Sequence, residues 1–345
     1  MFFKLSILSL LLIILGSCGK PKRQAFIRGV NSLESNSTKF SLLYHTSSYS
    51  NYAVINGRQT NTVSIPETGA NHQFTIIDSQ TYLYGRKGQN RYYVLNEQQE
   101  VIKNSLLPIS NLQRLKKIDG EFYFWDRESC KVNRGSSLEN FLSISLDASL
   151  CTSQNPNAAK VQDVQKIQDS LLMLTDSGLV SLSTQDFLFK FPNGLNNPFG
   201  GMVAIDNKEF LIAFTGLYSQ GQENKGKGLG YFSETGTLLS FLEFNRPPTA
   251  LKKISDSRFL LSTGFDLFMI EIKNGKLGKD LLVSNQFYAI DAIDTKDNAL
   301  IWAEARKSDR AFGYEIKKMN LSNSEVEVLA ELNENVMIDK LQIMK

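Results

Sequence analysis

Proline is scarce, with 8 in 345 residues, so the chain is no low-complexity linker protein. A block of like charge is missing as well. The 38 basic and 35 acidic side chains are interspersed and leave a formal charge of +3, too near neutrality for an electrostatic footprint on nucleic acid. Only two histidines occur, His45 and His72, and neither has a cysteine or glutamate cluster near it in sequence. No catalytic or metal residue is assigned from them, and polar surface or turn positions are expected for both. A Gly-x-Ser-x-Gly nucleophile elbow is absent, and so is a Cys-x-x-Cys pair. Past the first twenty residues no 3.6-residue apolar period is sustained, which excludes a helical solenoid. The longest apolar run, Leu5–Leu15, has eleven residues where a transmembrane helix needs about 20.

What remains is a composition suited to strands. It has 42% hydrophobic residues, including 22 Phe and 12 Tyr, enough for a large core. One unit recurs: an apolar strand ending in Ile, a turn containing Asp, then an alternating apolar strand. It reads Phe74–Asp78 then Tyr82–Tyr84, Leu115–Asp119 then Phe122–Trp125, Val164–Asp169 then Leu171–Leu174, and Val203–Asp206 then Phe210–Ile212. Two more copies are Leu251–Asp256 then Phe259–Leu261, and Ile290–Asp294 then Ala299–Trp302. Successive Ile positions (77, 118, 167, 205, 254, 293) recur at roughly 40 to 50 residues, the period of propeller blades. Two further strand candidates separate the copies, for example Tyr92–Leu95 with Val101 and Ile102, or Gly230–Phe232 with Leu238–Phe241. Each unit therefore carries about four strands.

The expected fold is all-β, a β-propeller of four-stranded blades. The tail, Val336–Ile343, is the opening half of a unit with nothing after it, and residues 40–65 supply strands without an opening half. Pairing them in one blade removes two open edges and gives seven blades. Eight is the alternative, if Phe26–Val30 and residues 40–65 form a complete blade without the tail. The turn aspartates are expected to close each hairpin by accepting from backbone amides; a ring of six carboxylates holding a cation is the functional reading of the same pattern.

The amino terminus is a processing signal. Lys4 precedes the apolar run, and Leu15, Gly16, Ser17 and Cys18 follow as an aliphatic residue, two small residues and a cysteine. This resembles the lipobox of bacterial lipoproteins. The resemblance covers only the first twenty residues, and it implies cleavage after residue 17 and acylation of Cys18. The expected organisation is a signal peptide over 1–17, a lipidated cysteine and basic tether over 18–24, and one propeller domain over 25–345. Gly19 is not the aspartate that favours inner-membrane retention in enteric bacteria, so the outer membrane is the expected location. Each buried CH₂ of a lipid contributes about 0.8 kcal/mol, and several chains hold stably. With Cys18 used, Cys130 and Cys151 form an even pair in an oxidising compartment and are expected to bridge.

Gly221–Gly228 has the spacing of a phosphate-binding loop, but Gly228 stands where Ser or Thr would contact magnesium, and strands flank it. It reads instead as a long flexible hairpin loop, and Gln220, Gln222, Glu223, Asn224, Lys225 and Lys227 are the candidate partner-binding residues. Loops near 152–160, 193–200 and 219–230 are the longest and most polar. Asp291, Asp294 and Asp297 are spaced by three, unlike the alternating ligands of a calcium loop. Tyr92, Tyr93, Phe122–Trp125 and Trp302 fit strand cores first and a sugar-stacking platform second. Trp125 and Asp126 form the dipeptide of WD repeats once only, without the upstream Gly-His, so that family is not assigned. The function expected is a membrane-anchored scaffold that binds another protein, with no cofactor and no nucleic acid. The alternative is an enzyme or carbohydrate-binding protein that uses the central channel.

Overall fold

In a computed structural model of the full chain, the residues described are 26–29, 38–45, 49–65, 72–85, 91–107, 109, 112–152, 159–206, 208–219, 222–284, 293–308, 311–333 and 336–344. Their strands form seven four-stranded antiparallel blades, an all-β propeller. Blade 1 combines both ends of the chain. Met337–Ile343 is its inner strand, followed outward by Phe40–His45, Ser50–Asn56 and Gln59–Ile65. Blades 2, 3 and 4 begin on the inner strands His72–Ile77, Leu112–Ile118 and Val161–Ile167, and end on Val101–Leu106, Phe141–Ser145 and Phe187–Lys190. Blades 5, 6 and 7 begin on Gly201–Ile205, Ala250–Lys253 and Ile293–Lys296, and end on Leu238–Glu243, Lys276–Val283 and Val326–Asn333. The inner strands touch one another in turn, from the closing strand of blade 1 round to that of blade 7 and back. The ring is closed.

The eight-bladed alternative fails on pairing. Phe40–His45 takes its inner partner from the tail, Phe40 opposite Ile343 and His45 opposite Met337. Phe26–Gly29 makes no blade with residues 40–65; it adds a fifth, outermost strand to blade 7, Phe26 opposite Asn333. That pairing covers an edge which would otherwise present unpaired amides.

Alternation along the second strands is not what the structure shows. Phe122, Tyr123, Phe124 and Trp125 are all buried, as are Phe210 to Phe214. A blade has a neighbour on each face, so both sides of its middle strands are dry and the apolar run is continuous. Seven clusters of buried side chains result among the described residues, one in each gap between blades. Phe122 and Phe124 pack with blade 2, while Tyr123 and Trp125 pack with blade 4.

The turn aspartates also act differently from expectation. Asp78, Asp119, Asp206 and Asp297 sit at the first turn of their blades with φ of 49°, 51°, 46° and 50°, the left-handed conformation that Asp and Asn tolerate. Their value to these turns is conformational. The carboxylates reach elsewhere: Asp78 pairs with Lys117 and Asp119 with Lys166, each from the next blade, the latter at 2.6 Å. Asp256 pairs with Lys253 of the strand before it at 2.7 Å. Asp294 is inside an inner strand, not in a turn, and its Oδ2 accepts from the Ile343 N–H of the closing strand at 2.8 Å. The turn of blade 7 falls at Asp297–Asn298, because the strand continues through Lys296.

Candidate functional site on the crossover face

Antiparallel blades sort the loops onto two faces. One carries the first turns of the blades, with their aspartates. The other carries the crossovers between blades and each blade's loop between second and third strands. In their described residues, all three loops that the sequence marks as long and polar fall on this crossover face. Residues 153–158 of the first lie outside the described residues.

Blades 3 to 6 are tied together there by a chain of specific contacts. Cys130, in the middle loop of blade 3, is bridged to Cys151 in the crossover to blade 4, 21 residues on, with Cα atoms 5.8 Å apart. Cys151 ends a short 3-10 turn, Ala148–Cys151, that Asp147 caps by accepting from Ser149 N–H. Ser177 Oγ then donates to Thr152 O at 2.6 Å. The next crossover is held at Asn197, whose amide N–H donates to Asp176 and whose carbonyl accepts from Thr215 N–H at 2.9 Å. Thr215 Oγ1 continues to Pro248 O at 2.9 Å. These loops share one hydrogen-bonded frame.

The proposed binding loop is part of this face. Leu217–Ser219 and Gln222–Lys225 pair as a two-stranded hairpin inserted between the second and third strands of blade 5. Gln222, Glu223, Asn224 and Lys225 therefore form a short strand, Lys227 follows it, and Gln220 lies outside the described residues. The phosphate-loop spacing runs into another strand, Gly228–Phe232, with no helix to point at a phosphate. The hairpin is seated by Gly226. Its φ is +73°, and a Cβ there would come within 2.1 Å of Gly194 O in the adjoining crossover. Gly226→Ala is expected to shift the hairpin off that crossover, read as new protease cleavage within 217–227 while the unfolding midpoint of the ring changes little. Unchanged cleavage would mean the seat is not a constraint.

The central channel is lined by the open edges of the inner strands, and several of their carbonyls are satisfied across blades. Lys340 Nζ donates to Phe74 O at 2.6 Å, Lys116 Nζ to Val164 O at 3.1 Å, and Gln165 Nε2 to Met202 O at 2.8 Å. Asp163 is 3% exposed and sits 2.6 Å from Lys116. Burial alone would push its carboxyl up. The Lys116 ammonium and the Arg114 guanidinium, with hydrogen bonds from Lys116 and Gln165, more than offset this and hold it below the ordinary value.

Three inner strands carry a β-bulge at the crossover end, and each bulge puts a polar residue there: Gln113 in blade 3 and Gln162 in blade 4, both buried, and Asp339 in blade 1, partly buried. Bulges re-aim side chains and gather beside functional sites. None of the three stood out in the sequence. The available signal was a polar residue intruding next to a second polar one, in Leu-Gln-Arg-Leu and Val-Gln-Asp-Val.

His45 is not at the surface. It ends the second strand of blade 1 at 7% exposure, and its Nδ1 lies 2.8 Å from Asp339 Oδ2. The two are 294 positions apart, and only ring closure brings them together. The hydrogen bond to Asp339 raises the imidazole pKa against the opposing effect of burial. A folded value above the unfolded one means that the pair stabilises fully below about pH 6.5 and loses its contribution as pH rises through the folded value. Wild-type stability should therefore fall between pH 6 and 8 relative to His45→Gln in urea melts; parallel pH profiles would count against the pair. His72 begins the inner strand of blade 2.

Of the three spaced aspartates, Asp294 is engaged by the closing strand, Asp297 is at the turn, and Asp291 lies outside the described residues. Among the described residues no three His, Cys, Asp or Glu side chains converge as metal ligands do. Tyr92 and Tyr93, Phe122–Trp125 and Trp302 are buried between blades, as strand cores. Two cavities stand out among the described residues. One of about 650 Å³ lies at the seam of blades 7 and 1 on the aspartate face, and one of about 340 Å³ lies under the crossover from blade 4 to blade 5.

No protein-family model matches the chain. No curated protein matches it in sequence. Solved structures match in fold. A catalytically inactive virginiamycin B lyase from Staphylococcus aureus with quinupristin is 11% identical, with a TM-score of 0.53, over 90% of this chain and 100% of the lyase. Dihydro-heme d1 dehydrogenase NirN in complex with DHE is 10% identical, TM-score 0.59, over 91% of this chain and 76% of NirN. Apo AztD from Citrobacter koseri is 10% identical, TM-score 0.55, over 88% and 97%. At such identities the likeness is one of fold, and it defines the class: a β-propeller. Neighbours as different as a lyase and a dehydrogenase share the ring, so function has to be argued from this chain's own loops.

Proposed function

We propose that the chain is a lipid-anchored protein of the bacterial envelope, in the outer membrane, whose propeller holds a protein partner on its crossover face. The observation that carries the binding half is the frame just described. Long polar loops of blades 3 to 6 are locked to one another by a disulfide and successive hydrogen bonds, and rigid loops lose little entropy on binding. Lys116, Asp163, Asp294 and Lys340 of the inner strands, by contrast, are engaged between blades, which favours the face over a catalytic or sugar-binding channel.

The anchoring half is supported by two separate features. Leu15–Cys18 has the lipobox order, and Cys18 itself lies outside the described residues. The Cys130–Cys151 bridge fits a compartment that permits disulfides, which is where a lipoprotein signal would deliver the chain.

Two measurements test the halves separately. Cys18→Ala should leave an unprocessed or soluble protein; membrane partitioning equal to wild type would overturn the anchor. A photo-crosslinking residue at Lys227 or Asn193 should yield discrete protein adducts in intact cells, whereas one at the exposed Asp256 on the opposite face should not. Equal adduct patterns from both faces would remove the partner from the crossover face.

A further inference from the structure

We infer, on the reading that Cys18 is acylated and the crossover face docks a protein, that this face is turned toward the membrane holding the lipid. Its partner is then an integral protein of that membrane. The feature that carries the inference is the short strand Phe26–Gly29, the first described element after the anchor. It runs antiparallel to the outer strand of blade 7, Phe26 opposite Asn333 and Gly29 opposite Ala330. It also touches the third and fourth strands of blade 1, Ser50–Asn56 and Gln59–Ile65, so it is wedged into the rim at the closing seam.

The direction of that strand decides the side. A blade's fourth strand runs from the aspartate face to the crossover face, so Val326–Asn333 ends on the crossover face at Asn333. Phe26 lies opposite Asn333, and the chain upstream of Phe26 starts from that rim. Cys18 stands eight positions before Phe26. Eight residues span at most about 28 Å, and about 16 Å as a flexible chain. A blade is about 23 Å tall, from the seven residues of Met337–Ile343 at about 3.3 Å each. Laying the aspartate face on the bilayer would draw the tether along the whole height of the rim, close to its full length. The crossover face needs none of that extension.

A face held this close to lipid selects its partner. The exposed loops of a membrane protein lie within the tether's reach, whereas a soluble protein has to enter the gap between face and bilayer. The lipid surface itself is a poor match. Adsorption to anionic headgroups takes clustered Lys and Arg, and on this face exposed Arg127, Lys131 and Lys190 are mixed with exposed Glu128, Asp147 and Glu243. What the face offers a protein is an aromatic with a stacked arginine, residue types that dominate interface centres. Phe265 is 41% exposed in the middle loop of blade 6, with the Arg246 guanidinium 4.1 Å from its ring centre.

Energy transfer on the full-length lipidated protein reads the orientation. The protein is reconstituted in vesicles of phosphatidylethanolamine and phosphatidylglycerol that carry a headgroup acceptor. A fluorescent non-natural residue at Lys227 should be strongly quenched, and one at Asp256 on the opposite face only weakly. A flexible insert of about 20 residues after Arg23 should abolish that difference while the protein still floats with the vesicles. Failure of the wild type to float removes the anchor and the inference with it. Flotation with equal or inverted quenching leaves the anchor standing and overturns the orientation. In cells, a photo-crosslinking aromatic at Phe265 should join to a protein that stays with membranes through alkaline extraction. The same insert should lower that adduct about fivefold, by diluting the face away from the bilayer. No adduct, a soluble partner, a phospholipid adduct in its place, or a yield that the insert leaves unchanged overturns the partner class.

Discussion

Lys116→Met is expected to destabilise the propeller by about 3 kcal/mol, because it leaves Asp163 charged and buried with one cation fewer. Asp163 is 3% exposed and sits between two inner strands, 2.6 Å from an ammonium whose own side chain is partly exposed. Arg114 still faces it, and Gln165 Nε2 still donates at 2.8 Å, so the loss stops short of unfolding a ring this size. The pH dependence has a definite sign. The folded carboxyl lies below its ordinary value, so its stabilisation is complete above the unfolded pKa near 3.9 and is lost as pH falls through the folded value. Removing Lys116 raises the folded value and moves acid unfolding to higher pH. Urea melts at pH 7 and an acid titration read both effects. A second change, Asp163→Leu on top of Lys116→Met, should recover part of the loss, since the buried carboxylate is gone while Arg114, Gln165 and the Val164 N–H lose the same partner. A single-variant loss under about 1 kcal/mol would show that the pair is hydrated and the carboxylate not dependent on it.

Leu341→Ala should cost about 3 kcal/mol as well, the ordinary penalty for emptying a buried leucine site, and it should also open the ring. Leu341 is 1% exposed in the cluster between blades 7 and 1, and it lies on the strand that closes the circle. That strand reaches its blade only through pairing with Phe40–His45, from the other end of the chain. A weakened closing strand can leave by itself, exposing two edges at once. Leu260→Ala is the control. Leu260 is 0% exposed on a middle strand of blade 6, whose four strands are consecutive in the chain. Both variants should lose similar equilibrium stability. Only Leu341→Ala should accelerate hydrogen exchange and proteolysis at 337–343 well before global unfolding. Equal local protection in the two would mean that the closure is no weaker than any other blade.

Particular residues show how far the chain could be read without coordinates. The bends of blade 6 are local ones that residue type alone points to: Gly264 has φ +80°, and Asn274 and Gly275 have +53° and +72°. The closing blade was legible from incompleteness, since 336–343 lacks what residues 40–65 supply. The Cys130–Cys151 bridge followed from counting, and Cα atoms 5.8 Å apart realise it. The site was legible only as loop length. Asn196, Asp176 and Ser149 come from different segments, and no spacing along the chain relates them. His45 was misplaced for the same reason, its partner being 294 positions away.

By itself, then, the sequence determined the fold class, the blade period, the strand content of each blade and the end-to-end closure. These rest on short-range physics: side-chain period, turn conformation and the need to cover an edge. Tertiary structure decided the rest. It made the second strands dry on both faces, turned turn aspartates into partners for lysines of the next blade, and set three bulges at one mouth of the channel. It also brought the crossovers on either side of blade 4 around one cavity. All of these depend on which blade stands beside which, and the angular packing of the ring fixes that only once the circle is closed.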